Sequence, residues 1–340
     1  MIRRHMFMSA LVATVALSGC GGGKGSSATP TPTGTPTPTP TASPTYAAFP
    51  LAGPAEFNTY NAAISYTGDP SSGAVTLGAA STEALIPTPA ARVRLATDTA
   101  VATGTYVMRE NTEESRFCVP TGQTCTSTLV TPSAVGNPEF IFRTNDATTA
   151  GKFAQVEFLN NVVKDTSTNT AALALSRVSY ANWWRGDSTT GQKRLTYTAW
   201  GYPTTYADMP TTGTVSYGTL TVTGRLVSVV GATTTVNQVT GAVLMSTNFA
   251  TGAVTMTLTL STIPAGGGAA VTYGTFTAQG AIPVGQNQWT GSFVTGSPLS
   301  GTLAGGFFGS QGEQAGVVFS ATGTFGGAQQ SLIGVVVGKK

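Results

Sequence analysis

Few residues of this 340-residue chain could do chemistry: three cysteines, one histidine and 14 carboxylates. Cys20 closes the tetrapeptide Leu17-Ser18-Gly19-Cys20, which has the form of a bacterial lipobox. In that pattern the chain is cut before the cysteine. Its sulfur and new amino group then take acyl chains, each buried CH₂ contributing about 0.8 kcal/mol of membrane affinity. Cys118 and Cys125 are left as an even pair in an exported protein, with Pro120 and Gly122 at the tip between them. The pair reads as a disulfide, whose small ring stabilises by about 2–3 kcal/mol at most in the chain-entropy picture. His5 lies before the cut, so the mature chain has no histidine. That excludes Ser-His-Asp and Cys-His catalysis, and His-ligated zinc or haem. A carboxylate pair is the usual remaining hydrolytic device. Glu113-Glu114 is such a pair, but it sits in the charged run from Arg109 to Arg116 and reads as a solvated face. No P-loop, calcium loop or Gly-x-Gly-x-x-Gly signature appears in the sequence. The expectation is a protein that is not an enzyme and carries no metal or cofactor.

Recognition chemistry is better supplied. The segment Tyr180-Ala181-Asn182-Trp183-Trp184-Arg185-Gly186-Asp187-Ser188 joins two tryptophans to an arginine, residue types enriched at binding hot spots. Neighbouring residues of a strand point to opposite faces, so at most one of Trp183 and Trp184 should face a core. The other is expected to be accessible, with half-buried packing as the competing reading. Arg185-Gly186-Asp187 spells the integrin tripeptide, a match too short to carry weight. Tyr202, Tyr206 and Met209, on a Pro-bearing stretch, form a second candidate contact.

The elements that must position these residues follow from composition. Residues 1–19 read as a signal peptide: Arg3 and Arg4, then an apolar run from Met6 to Leu17 too short to span a bilayer as a mature helix. Gly21 stands where lipoproteins retained at the inner membrane often carry Asp, which favours the outer membrane. Removal of Arg3 and Arg4 leaves 15 basic against 14 acidic residues, with no basic stripe to suggest nucleic acid. The lipidated Cys20 opens a Gly/Thr/Pro-rich stalk to residue 45. Its 18 residues from Ala28 to Thr45 would reach roughly 50 Å as polyproline II, enough to display a domain clear of the lipid. Threonine, with 60 copies, and glycine, with 42, dominate the chain. The first is β-branched and polar, suited to the wet face of a sheet. Val254–Leu260, Thr219–Leu226 and Leu195–Trp200 alternate apolar with polar residues, the period of half-buried strands. The fold class is therefore all-β. Residues 46–208 carry 13 of the 14 acids, whereas residues 209–340 carry only Arg225, Glu313, Lys339 and Lys340 as charges. This break places a domain boundary near Met209-Pro210. Eight or nine strand-like runs after residue 213 suit an up-and-down barrel filled by its own side chains.

Three stretches of the C-terminal half carry a family resemblance. Pro210-Thr211-Thr212-Gly213-Thr214-Val215-Ser216-Tyr217-Gly218 resembles the opening barrel strand of the transferrin-binding protein B family, with the last glycine one residue early. Thr247-Asn248-Phe249-Ala250-Thr251-Gly252-Ala253-Val254 is similar to a second family strand, Asn248 replacing the usual Asp. The run from Leu303 to Phe319 resembles the C-terminal family motif, with Phe308 for Tyr, Ser310 for Pro, and Ala315-Gly316 for a glycine pair. The resemblance covers about 130 residues closely and the N-terminal half by architecture alone. It implies a lipid-anchored protein with an N-terminal β-rich handle domain (46–208) followed by a C-terminal eight-stranded antiparallel β-barrel (209–340). Factor H-binding protein and related surface lipoproteins share that barrel. Family members capture soluble proteins or haem carriers through loops, often for an outer-membrane import receptor of the TonB-dependent kind. The motif Gly306, Phe307, Phe308, Gly309, Glu313, Gly316 and Phe319 is expected to be structural. Its glycines would permit tight bends, Phe307 and Phe319 would fill the barrel, and Glu313 would satisfy turn amides. A structural or adhesive surface module is the alternative function. A small-ligand barrel would need a cavity that Phe276, Trp289, Phe293 and Phe319 look sufficient to fill.

Overall fold

Glycine and threonine in such proportion leave few residues to favour helices, and strands make up nearly all of the regular secondary structure of the described residues, with only four short 3-10 turns beside them. The computed structural model describes residues 44–69, 74–83, 91–96, 101–118, 127–132, 137–145, 153–163, 171–187, 192–264 and 266–340. The lipobox Cys20, the stalk before residue 44 and Cys125 lie outside the described residues. In chain order the first strands are β1 (Ala55–Asn58), β2 (Tyr60–Asp69), β3 (Ala74–Glu83), β4 (Ala91–Ala96), β5 (Thr105–Glu110) and β6 (Glu113–Cys118). They are followed by β7 (Ser127–Thr131), β8 (Glu139–Asn145), β9 (Phe153–Leu159), β10 (Val178–Asp187) and β11 (Gln192–Gly201). The C-terminal strands are β12 (Thr214–Val230), β13 (Thr233–Asn248), β14 (Ala253–Pro264), β15 (Val271–Ala281), β16 (Gln288–Phe293), β17 (Leu299–Phe308), β18 (Gln314–Phe325) and β19 (Ala328–Lys339).

Strands β12 to β19 form a closed antiparallel barrel of eight strands. Each pairs with the next, and β12 returns to β19 from Thr219↔Lys339 to Val229↔Gln329, which removes both sheet edges. Strand β14 shows how the sequence sets this wall. Val254, Met256, Leu258 and Leu260 are buried in the interior, while Thr255 and Thr259 are exposed on the outside. Trp289, Phe276, Phe293, Phe307, Phe319 and Tyr217 fill the barrel as one apolar cluster. The last hairpin turns on Gly326 (φ 59°) and Gly327 (φ 79°), between the paired Phe325 and Ala328. Two left-handed residues in a two-residue loop suit the twist of the flanking strands, and glycine accepts them without a Cβ clash.

Upstream of the barrel stand two further sheets. One has four strands in the order β1-β4-β5-β6, and the other has seven in the order β3-β2-β11-β10-β9-β8-β7. The larger one is a middle layer. On one face Phe140, Val156, Phe158, Ala181, Trp183 and Trp200 pack with Phe57, Val93, Leu95, Tyr106 and Phe117 of the smaller sheet. On the other face Tyr60, Ile64, Tyr180, Trp184, Leu195 and Ala199 pack with Ala304, Phe308, Val318, Ile333, Val335 and Val337 of the barrel's outer wall. Residues Gln314–Ala321 and Leu332–Gly338 are accordingly buried on both faces, the usual reason for an unbroken apolar run in a strand. The chain from Ser43 to Lys340 is one compact unit.

Gly306 and Gly316 stand opposite each other in the β17–β18 register. They lie within strands, not at bends. A Cβ on Gly306 would collide with the Tyr60 hydroxyl, and one on Gly316 would meet Val178 Cγ2 at 2.9 Å and Ala199 Cβ at 3.1 Å. The bend that the motif was expected to serve falls to Gly309 (φ 76°) and Gly312 (φ 62°). Gly306 and Gly316 instead let the middle sheet approach the barrel. A Gly316→Val change is expected to overpack this seam and cost about 1–3 kcal/mol, read as a lower urea midpoint. An unchanged midpoint would mean that the layers are not in close contact there.

Candidate functional site

Strand β10 runs through the middle sheet between β9 and β11, and that sheet is covered on one face by the four-stranded sheet and on the other by the barrel. Trp183 is 1% exposed and Trp184 is 3% exposed. The accessible tryptophan expected from alternation is therefore not found. The residues do point to opposite faces, but a third layer covers the face assumed to be free. Trp183 lies toward the four-stranded sheet with the Arg185 guanidinium 3.8 Å from its ring centroid, a cation–π contact. Trp184 lies toward the barrel, edge-on to Tyr66 at 5.2 Å.

Arg185 is a brace between the two handle sheets. Its Nη2 donates to Glu110 Oε2 at 2.5 Å, its Nε pairs with Glu113, and its Nη1 donates to Thr196 Oγ1 at 3.0 Å. Arg194 Nη2 reaches the other Glu110 oxygen at 2.6 Å. Burial opposes the Glu110 charge, but Arg194 and Arg185 overcome it and hold the carboxyl below the usual range. Glu113 therefore shares a buried arginine, while Glu114 keeps the solvated role with Arg116 at 3.8 Å.

A second charged group ties the handle to the barrel. Arg225 of β12 donates from Nη2 to Glu157 Oε2 and from Nη1 to the Tyr197 hydroxyl, both at 3.1 Å. Glu157 also accepts from Asn182 Nδ2 at 2.6 Å and Gln155 Nε2 at 2.9 Å. Glu139 accepts from the Tyr180 hydroxyl at 2.9 Å. Burial pushes the Glu139 carboxyl up to about 7, and the nearby Glu157 charge adds to the effect. Burial likewise raises the phenols of Tyr180 and Tyr197. The group thus sets two carboxyl groups, one of them held toward its protonated form, against one guanidinium.

The junction between β11 and β12 places the remaining candidates. Tyr202 is half-buried, its ring 5.2 Å from both Phe49 and Phe57, and burial raises its phenol. Met209 is 7% exposed within the barrel cluster. Tyr206 is 59% exposed on a single 3-10 turn. It is the one aromatic among the strongly exposed large apolar side chains of the described residues. Beside it, Asp208 accepts from Tyr46 Oη at 3.0 Å, from Gln311 N at 3.0 Å and from Gln311 Nε2 at 2.7 Å. Burial opposes the Asp208 charge, and the Gln311 and Tyr46 hydrogen bonds outweigh it and lower its pKa. Arg177 Nε pairs with Glu313 Oε1 at 2.7 Å while its Nη1 donates to the carbonyls of Tyr46 and Ala47. Glu313 was expected to satisfy turn amides. It instead takes an arginine 136 positions earlier, because the middle sheet brings β10 to the β17–β18 turn. Phe307 and Phe319 fill the barrel, and Phe308 lies outside it in the seam. Cys118 is buried at the end of β6, its N–H donating to Ser127 Oγ at 3.3 Å.

Arg177, Glu157, Asp208 and Gln311 were not singled out by the sequence. The pairs Arg177–Glu313, Glu157–Arg225 and Asp208–Gln311 are 68 to 136 positions apart in sequence. Arg225 gave a usable signal, as the lone charge between Met209 and Gly312.

No protein-family model matches the chain, and no curated protein matches it in sequence. Among solved structures, a point mutant of transferrin-binding protein B from Haemophilus parasuis is similar, at 12% identity and TM-score 0.40. Intact Ap-TbpB, with N and C lobes, is similar at 12% identity and TM-score 0.38. Both alignments cover 83% of this chain and 46% of the other, so the chain spans about half the length of those proteins. The isotype 1 protein from serogroup B Neisseria meningitidis is similar at 11% identity and TM-score 0.30, covering 85% of this chain and 77% of that one.

The raised Glu139 carboxyl makes a pH prediction. Its value of about 7 in the fold lies above the ordinary 4.5, so the folded state holds the proton more tightly than the unfolded state. The group's contribution is whole below about 4.5 and is lost as pH rises through about 7. Glu139→Gln should therefore melt higher than the parent at pH 8, with the difference closing toward pH 4.5. Equal melting temperatures across that range would contradict the proton-holding assignment.

Proposed function

We propose that the protein is a surface lipoprotein of the outer membrane, anchored through Cys20, which holds a macromolecular ligand or haem carrier by its outer surface. The observation that carries this reading is the packed barrel: Trp289, Phe276, Phe293 and Phe319 occupy its interior as one buried cluster. A filled barrel does not offer the cavity that a small-molecule carrier requires, so recognition falls to the exterior. The lipobox, the threonine-proline stalk and the motif resemblance support the anchor and the display. No catalytic role is assigned to any residue.

The proposed division of labour gives recognition to residues 46–208 and their junction with the barrel, and gives support to residues 209–340. Burial removes Trp183 and Trp184 as direct contacts, and Arg185 is spent on Glu110 and Glu113. Tyr206 is the contact we assign, with the half-buried Tyr202 behind it on the same junction. Cys118 and Cys125 are proposed to form a disulfide beyond β6. Delivery of the captured ligand to a TonB-dependent receptor would follow from the same reading.

Protease treatment of intact cells is expected to release a fragment beginning within or beyond the stalk. Complete protection would contradict display at the surface. In a pull-down with the mature chain, Tyr206→Ala should weaken capture about tenfold or more, as a hot-spot aromatic does, with an unchanged melting temperature. Capture unaffected by that change would exclude the junction as the contact.

A further inference from the structure

The face of the seven-stranded sheet that meets the four-stranded sheet carries a polar stripe through an apolar layer. On β11, Thr196, Thr198 and Trp200 alternate onto this face. Thr198 stands in register between Asn61 of β2 and Ala181 of β10, and Thr196 between Ala63 and Trp183. Thr196 is satisfied, donating to Glu110 Oε2 at 2.8 Å and accepting from Arg185. Other polar atoms beside it and further along are not. Thr198 Oγ1, Asn61 Oδ1, Thr59 Oγ1, Trp183 Nε1 and Trp200 Nε1 are buried with no protein partner. Each of these five residues is at most 2% exposed.

Five such atoms in one layer are too many to be left dry. Leaving a buried donor or acceptor unsatisfied is costly, and five such costs are large against the narrow margin by which a whole domain is stable. Their chemistry is complementary: the indoles only donate, the Asn61 oxygen accepts, and the two hydroxyls do both. A buried water needs two to four such partners. Directly opposed side chains such as Asn61 and Thr198 have Cβ atoms about 4.5–5.5 Å apart, a span that one bridging water covers. The flanking Ala63 and Ala181 are small and buried. We propose that this stripe is an internal hydration site, a file of water molecules held between the handle's two sheets by Thr59, Asn61, Trp183, Thr198 and Trp200. The file begins at the Glu110–Thr196 bond and gives the inter-sheet layer a bound ligand of its own.

Two measurements on the full chain decide it. In NMR, the indole N–H groups of Trp183 and Trp200, assigned by Trp183→Phe and Trp200→Phe, should show NOE transfer from long-lived water. Absence of transfer to both overturns the proposal. The near-isosteric Thr198→Val then reads the energetic sign. Losing a water anchor should lower the melting temperature by about 2–4 °C. A dry site predicts the reverse, because the substitution would delete an unsatisfied hydroxyl, and a raised melting temperature overturns the hydration site.

Discussion

The burial of one barrel wall against the middle sheet is the contact on which the rest of the structure depends. A closed barrel of this size ordinarily shows the solvent a polar exterior. Here Ala304, Phe308, Val318, Ile333, Val335 and Val337 face outward and are covered by Tyr60, Ile64, Trp184, Leu195 and Ala199. Each large apolar side chain fully buried in this way contributes about 1.5–3 kcal/mol relative to exposure. The middle sheet gains as much in return, since its barrel-facing side would otherwise present tyrosines, Trp184 and Ile64 to water. Neither body offers a finished surface without the other.

Charge then specifies how the two bodies meet. Arg225 and Glu313 both pair with handle residues, Glu157 and Arg177, across the seam. For the buried Arg225–Glu157 pair, replacement by apolar groups can be neutral, but removing one partner leaves a costly buried charge; the Arg177–Glu313 pair is partly exposed and contributes less. Their value here is therefore register more than net stability. Arg225 fixes the barrel against β9 and β11, and Arg177 gathers Tyr46, β10 and the β17–β18 turn at one point. The remaining barrel wall is built from Thr, Ser, Gln and Ala, as on β14 and β15, and takes no part in these contacts.

Much of the fold was legible in the sequence, and for a local reason. The alternation of Val254–Leu260 and Thr219–Leu226 reports the face of each strand directly. What alternation cannot report is how many layers cover a strand. Trp183-Trp184 looked like one buried and one free indole, because two-layer packing was assumed. The contrary sign lay elsewhere, in the unbroken apolar stretch Val335-Val336-Val337, which has meaning only when both faces of β19 are covered. The motif glycines were legible as important but not in role. Gly316 and Gly306 are required by Val178, Ala199 and Tyr60, residues more than 100 positions away in sequence. Glu313 was misassigned to its own turn for the same reason.

The central claim is that the handle and the barrel are one cooperative body joined at this seam. The most direct test is hydrogen exchange followed through urea for amides of β10 and β11 alongside those of β18 and β19. The account predicts that both sets open in one transition with the same midpoint. Barrel amides that stay protected after β10 and β11 have exchanged would show two independent domains, and would contradict it.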